Sequence, residues 1–169
     1  MKTAVVLFLQ GIMPEPFMVF FLGALPIFEL RLAIPLGVIL FDMPYLKTFL
    51  LAFLGNISII FPLLLLWRFM LTSLELWPGF IGNIIKWWFA RVDKRTDLIR
   101  KWGFWGLVCF VAVPLPVTGA WTGTVAASLL GMKYRDAFMA IVIGVIMAGF
   151  VVSVLTFFGV EIVSNWINF

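Results

Sequence analysis

Polar positions are so sparse in this chain that they divide it by themselves. Leu46–Met70 and Ala137–Val160 are long, almost unbroken apolar runs. At 1.5 Å per residue each makes a helix of roughly 36–37 Å, enough to cross a hydrocarbon core of about 30 Å with some tilt. Pro62 predicts a kink in the first. Two further apolar segments are interrupted. Phe17–Phe41 contains Pro26, Glu29, Arg31 and Pro35; Phe104–Gly131 contains Pro114, Pro116 and a small polar run from Thr118 to Thr124. The limbs of the first, Phe17–Leu25 and Ala33–Phe41, have nine residues each. That is about 13 Å of helix apiece, less than half the bilayer. Such limbs fit a re-entrant hairpin that goes in to mid-depth and returns, or a single crossing kinked at proline. The hairpin is the expectation for both segments, with Pro26, Pro35, Pro114 and Pro116 as the hairpin breaks.

The resulting order is hairpin, spanning helix, basic stretch, hairpin, spanning helix. Matched residues support an internal repeat: Tyr45 recurs as Tyr134, Phe49 as Phe138 and Gly55 as Gly144, while Pro26 recurs as Pro116 one position out of step. Each repeat holds one full crossing, so the second must be inverted relative to the first, as in many transporters. The predicted fold is an all-α integral membrane protein, an inverted repeat of a re-entrant helical hairpin plus a transmembrane helix. It is read as one membrane domain over 1–169. Residues 1–16 form an interfacial segment, 17–70 the first repeat, 71–103 an interfacial helix and basic cytoplasmic loop, 104–160 the second repeat and 161–169 a tail. The apolar run after Lys2 lacks a small-x-small cleavage site, so 1–16 is expected to stay in the mature chain.

Composition agrees. The chain is 64% hydrophobic and 12% charged, against about one-quarter charged in soluble domains. Its net charge of +4 is concentrated between Lys86 and Lys101, where six basic residues face two acidic ones. That bias marks a cytoplasmic stretch and also suits anionic lipid headgroups; both readings can hold together. Trp87 and Trp88, with Trp67, Trp77, Trp102 and Trp105, read as an aromatic belt, and Leu76–Ala90 as an amphipathic interfacial helix. Nucleic-acid binding is not expected of so hydrophobic a chain. Cys109 is the single cysteine and there is no histidine. An intrachain disulfide, a cysteine metal cluster and the usual general base are thereby excluded. Cys109 is expected as a small core residue. No metal, no cofactor and no enzymatic activity are expected.

The chemistry falls on the two interruptions. A charge at bilayer depth costs about 2.5–3.5 kcal/mol even on the lenient insertion scale, so Glu29 and Arg31 are functional-site candidates by default. The flanking prolines place them on broken backbone. In an extended tip, positions two apart point to one side; on a helix they do not pair. They therefore either pair locally or find partners in the other hairpin. Read structurally, they fasten the repeats; read functionally, Arg31 is a fork for an anion and Glu29 a protonatable gate. Thr118, Gly119, Trp121, Thr122 and Gly123 form a neutral second tip, either a packed turn whose hydroxyls cap helix ends or the uncharged half of a midplane site. Asn56 and Ser58 suit hydrogen bonds between helices, and Asn56 is a further site candidate.

The run from Pro26 to Pro35, taken with Val113–Gly123, resembles the signature of the small multi-drug export protein family, over nearly the whole chain. That family is distantly similar to the DedA group, which is associated with re-entrant loops, translocation of lipid-carrier phosphates and dependence on the proton gradient. The resemblance implies a flippase or exporter in a prokaryotic plasma membrane, with Glu29 and Arg31 as its charged tip residues. The second tip here lacks the arginine typical of DedA proteins. Three functions remain in view. The leading one is a secondary transporter or flippase moving an amphipathic, phosphate-bearing substrate, with proton coupling through Glu29. The alternatives are export of hydrophobic cations, with Glu29 binding the cation and Trp121 stacking on it, and a non-transporting scaffold. Expected partners are membrane lipids, a small amphipathic substrate and, given the small size, a second copy in a homodimer.

Overall fold

The computed structural model describes residues 13–72, 80–113 and 118–167, and every regular element among them is a helix. Residues 1–12, Trp77, Pro78, Pro114 and Pro116 lie outside the described residues, so two of the four expected hairpin breaks do too. Helix α1 (Glu15–Ala24) starts beside Pro14 and Pro16. A missing amide costs little there, because first-turn amides have no intrahelical acceptor. The Pro14 carbonyl instead accepts the Phe17 and Met18 amides at 3.0 and 3.2 Å. The helix stops at Leu25, extended at ψ 141°, as the residue before a proline should be.

Helix α2 (Glu29–Ile39) resumes earlier than expected, so Glu29 and Arg31 occupy a helical first turn rather than an extended tip. Pro35 is not a break: it lies inside α2. It withholds the amide that would reach the Arg31 carbonyl, and packed membrane helices tolerate such a loss where neighbours hold the backbone. Pro26 does sit in the turn between the two helices, and α1 packs against α2.

Helix α3 (Tyr45–Thr72) has 28 residues, about 42 Å at the helical rise. Helix α4 (Phe80–Asp93) and helix α5 (Asp97–Ala112) carry the basic stretch, which is helical except at 94–96, so helix continues beyond the Ala90 expected as its end. Amphipathic spacing explains this, since Phe89, Val92 and Ile99 are buried while Lys86, Arg91, Lys94 and Lys101 are exposed. The turn is closed by the Arg95 amide on Val92, the Thr96 amide on Asp93, and Arg100 on the Asp93 carboxylate at 2.6 Å. That ion pair is exposed and contributes little to stability. Gly103 breaks α5 at φ 53°, just before Phe104, where the second interrupted apolar segment begins. Cys109 is exposed on α5 rather than a core residue. Helix α6 (Ala120–Leu129) and helix α7 (Tyr134–Ile167) complete the chain. Helices α3 and α7 are both long and apolar enough to cross a membrane.

Contacts group the chain into two units, one of residues 1–58 with 146–169 and one of 59–145. In the first, α1 lies backbone-to-backbone on α3. A side chain at Gly23 would strike Ala52, and one at Gly55 would strike the Phe20 carbonyl. Gly149 of α7 faces Phe49 and Leu30, and the Tyr45 and Phe157 rings lie 6.0 Å apart, so the start of α3 runs antiparallel to the end of α7. In the second, Gly144 of α7 abuts the Val111 side chain and the Val108 carbonyl. Arg68, near the end of α3, lies 4.0 Å above the Tyr134 ring at the start of α7. Helix α4 packs on α6. Phe17, Phe21, Leu54, Phe61, Phe150 and Leu155 are exposed. Two helices of spanning length and such apolar surfaces are the features of an integral membrane protein.

Candidate functional site

Glu29 opens α2 with φ 45° and only 8% of its surface exposed. A side chain with a Cβ reaches that left-handed region at a cost of about 1–2 kcal/mol, and such strain collects at functional positions. The conformation lets the Glu29 amide donate to the Leu25 carbonyl at 3.0 Å and close the turn around Pro26. The next residues follow helically, and Leu30 is buried. Arg31, half-buried, lies within electrostatic reach of the Glu29 carboxylate. The two charges thus interact within their own turn. The positive φ at Glu29 changes the direction that simple helical spacing would give its side chain.

The second tip is organised by hydroxyls that bond its own backbone. Thr118 Oγ1 donates to the Val113 carbonyl at 2.8 Å, Thr122 Oγ1 to Gly119 at 3.3 Å and Thr124 Oγ1 to Trp121 at 2.6 Å. Gly119 precedes α6 at φ 151° and ψ −169°, a conformation essentially confined to glycine. Gly123 is buried against Val111. These bonds hold a compact turn and helix start. Trp121, on the first turn of α6, is half-buried.

Asn56 sits on α3 with 1% exposure, and neither its amide nitrogen nor its amide oxygen has a hydrogen-bond partner. An unpaired buried amide costs about 1–3 kcal/mol. Ser58 donates to its own helix at Gly55, 2.7 Å away. The interhelical bonds expected of these two residues are therefore not formed. Arg68 is the residue that sequence reasoning passed over. Its guanidinium donates to the Met132 carbonyl while covering Tyr134, tying the end of α3 to the turn before α7. The available signal was its place as the one basic residue near the C-terminal end of a spanning run. Among the described residues no group of acidic or cysteine side chains could hold a metal ion.

Between α1 and α2 an apolar groove of about 300 Å³ is lined by Met18, Phe21, Leu22, Leu25, Leu36 and Leu40, among others. Leu25 is the residue whose carbonyl receives the Glu29 amide, so one end of the groove lies at the charged turn. This first unit therefore offers an apolar groove that shares Leu25 with the turn leading into Glu29 and Arg31.

No curated protein and no solved structure matches the chain. The family model described as "Putative small multi-drug export protein" matches residues 29–151, a span that begins at Glu29 and takes in α2 to α6 and much of α7. With that span covering well over half of its length, the chain belongs to the small multi-drug export protein family.

Proposed function

We propose that the protein is a secondary transporter that exports amphipathic small molecules, with the apolar body of the substrate in the groove between α1 and α2 and its positive end at Glu29. One observation carries this reading. At Glu29 the chain accepts left-handed strain on a buried acidic residue. At Gly119, 90 positions on and also just before or at the start of a short helix, it uses glycine. Keeping a carboxylate where glycine would relieve the backbone implies that the carboxylate has work to do. Arg31 serves as the resident counter-ion. An incoming organic cation competes with it for Glu29, and release of the cation restores the pair. The family description supports export of this kind.

A second reading keeps the same turn and reverses the charge. Arg31, freed from Glu29 by a phosphate-bearing lipid, would grip the phosphate in a two-pronged contact, and Glu29 would take up a proton in exchange. The observation that favours it is the exposed basic set on α4 and α5, beside exposed Trp87, Trp102 and Trp105, which suits an anionic cytoplasmic leaflet.

The topology proposed for either cycle is an inverted repeat of re-entrant hairpin and crossing helix in a prokaryotic plasma membrane, with 86–101 cytoplasmic. Several coincidences support it. Helices α3 and α7 begin at Tyr45 and Tyr134, 89 positions apart, and α2 and α6 end at Ile39 and Leu129, 90 apart. Positive φ recurs at Glu29 and Gly119, and at Asp42 and Gly131. Gly55 meets the backbone of Phe20, and Gly144 meets Val108 and Val111, two or fewer positions from the counterpart of Phe20. Helices α1 and α2 have 10 and 11 residues, about 15–17 Å each and too short to span.

Glu29→Gln tests the function. It keeps shape and removes charge and titration. In proteoliposomes it should abolish gradient-driven movement of lipophilic cations. Wild-type rates in Glu29→Gln would remove Glu29 from the cycle. Loss confined to phosphate-bearing lipids would move the conclusion to the second reading.

A further inference from the structure

The second unit contains a cavity that the transport cycle above does not use. Trp67 of α3, Ile84, Ile85 and Trp88 of α4, and Trp121 of α6 line an open pocket of about 250 Å³. Three of its five described lining residues are tryptophans, brought together from distant parts of the chain. The Trp67 indole is tied to α6 through one hydroxyl. Trp67 Nε1–H donates to Thr124 Oγ1 at 3.2 Å, and that hydroxyl donates to the Trp121 carbonyl at 2.6 Å. Thr124 is fully buried, so this clamp is shielded from solvent. Phe89 meets the Trp67 ring edge-on, 5.9 Å between centroids and 77° between planes. The Trp67 ring is therefore held from both its polar edge and its apolar side.

A cavity needed only to hold lipid chains or to fill space would do as well with leucine. Indole differs from leucine in its electron-rich face, the strongest cation–π acceptor among side chains. Cages of several aromatic rings favour quaternary ammonium groups, which carry full charge but are weakly hydrated and have no N–H needing an acceptor. That last point matters here, because among the described residues the lining is apolar and offers no carboxylate. The volume lies below the ~300–1,000 Å³ of sites for drug-sized ligands, so the cavity suits a tetraalkylammonium ion or the ammonium end of a larger molecule. The same unit already uses this attraction internally, with Arg68 over Tyr134 at 4.0 Å and Arg91 over Trp87 at 5.6 Å; neither ring lines the cavity.

We propose that Trp67, Trp88 and Trp121 form a cation–π cage that binds a quaternary ammonium group. This goes beyond the transport reading: it concerns a different unit, and it is measured at equilibrium with no gradient and no involvement of Glu29. The ammonium could belong to a free organic cation or to a choline lipid headgroup.

The test is titration calorimetry of the detergent-solubilised full chain with tetraethylammonium, alongside competition by its neutral isostere 3,3-diethylpentane. The cage predicts saturable binding that the isostere does not displace. Trp121→Leu should weaken binding about 5–30-fold, the factor that corresponds to about 1–2 kcal/mol per ring, and Trp121→Phe should weaken it less. Trp88→Leu should show the same loss, which keeps the test decisive if the Trp121 variant does not fold. In phosphatidylglycerol nanodiscs, competition by added phosphatidylcholine would assign the cage to a lipid headgroup, and absence of competition to free cations; both support it. Absence of tetraethylammonium binding, equal displacement by the isostere, or unchanged affinity in the leucine variants would overturn it.

Discussion

Replacing Glu29 with glycine and, separately, with alanine separates backbone from carboxylate. Both changes remove the charge beside Arg31, so that loss cancels between them. What remains is the conformation at φ 45°. Alanine keeps the Cβ and with it a left-handed cost of about 1–2 kcal/mol. Glycine escapes that cost but surrenders roughly 0.5–1 kcal/mol more backbone entropy on folding. Glu29→Gly should therefore be the more stable variant by roughly 1 kcal/mol, a midpoint difference of about 2–4 °C for a chain of this size. Thermal unfolding followed by circular dichroism in one detergent would measure it. An alanine variant that melts at or above the glycine variant would refute the left-handed assignment. The same pair tests function. Both variants should be inactive in transport, because neither carries a carboxylate. Transport by Glu29→Gly would mean that the strained acid is not needed, and the argument from its retention would collapse.

Other perturbations probe the rest of the molecule. Arg31→Lys should lose most transport of phosphate-bearing substrates while folding normally, since an ammonium cannot form the planar two-pronged contact; normal transport would reduce Arg31 to a point charge. Asn56→Leu should raise stability by about 1–3 kcal/mol by removing an unpaired buried amide, and a lower midpoint would show that the amide is bonded in the folded protein. Gly55→Ala and Gly144→Ala should each destabilise by about 1–3 kcal/mol through overpacking. Gly159→Ala, with open space around its α-carbon, should be neutral or stabilising; equal behaviour of all three in thermal unfolding would contradict the close approaches.

The elements that sequence predicts well are those set by one strong local cause. Long apolar runs give both ends of α3 and the start of α7 within three residues, because hydrophobic length and helical hydrogen bonding point the same way, while α7 continues seven residues past the run to Ile167. The ends of α1 and α5 fall where proline or glycine demands them. Prediction fails where tertiary support outweighs local preference. Pro35 reads as a breaker, yet α2 runs through it. The basic stretch after Ala90 reads as lacking helix, yet buried Val92 and Ile99 hold it helical on either side of 94–96. At the site, Glu29 and Arg31 stand out by cost alone, whereas the positive φ at Glu29 has no sequence signature in a residue other than glycine. The cage was hidden for another reason. Trp67 and Trp88 satisfy the ordinary expectation of an interfacial tryptophan while Trp121 reads as part of the second tip, and only the fold brings the three around one space.

The backbone-close seam between α1 and α3 has a consequence for biogenesis. A nascent helix as short as α1 offers the insertion machinery too little apolar length to be released into lipid alone, and the segment that follows it carries two charges. The surface that α1 needs, formed by Ala52 and Gly55, does not exist until α3 has been made. The helix pair α1–α2 therefore gains this dock only from residues synthesised later. At about 5–20 residues per second the delay lasts a few seconds. A stall or early stop before Thr72 would strand the pair without its dock and mark the fragment for quality-control proteolysis.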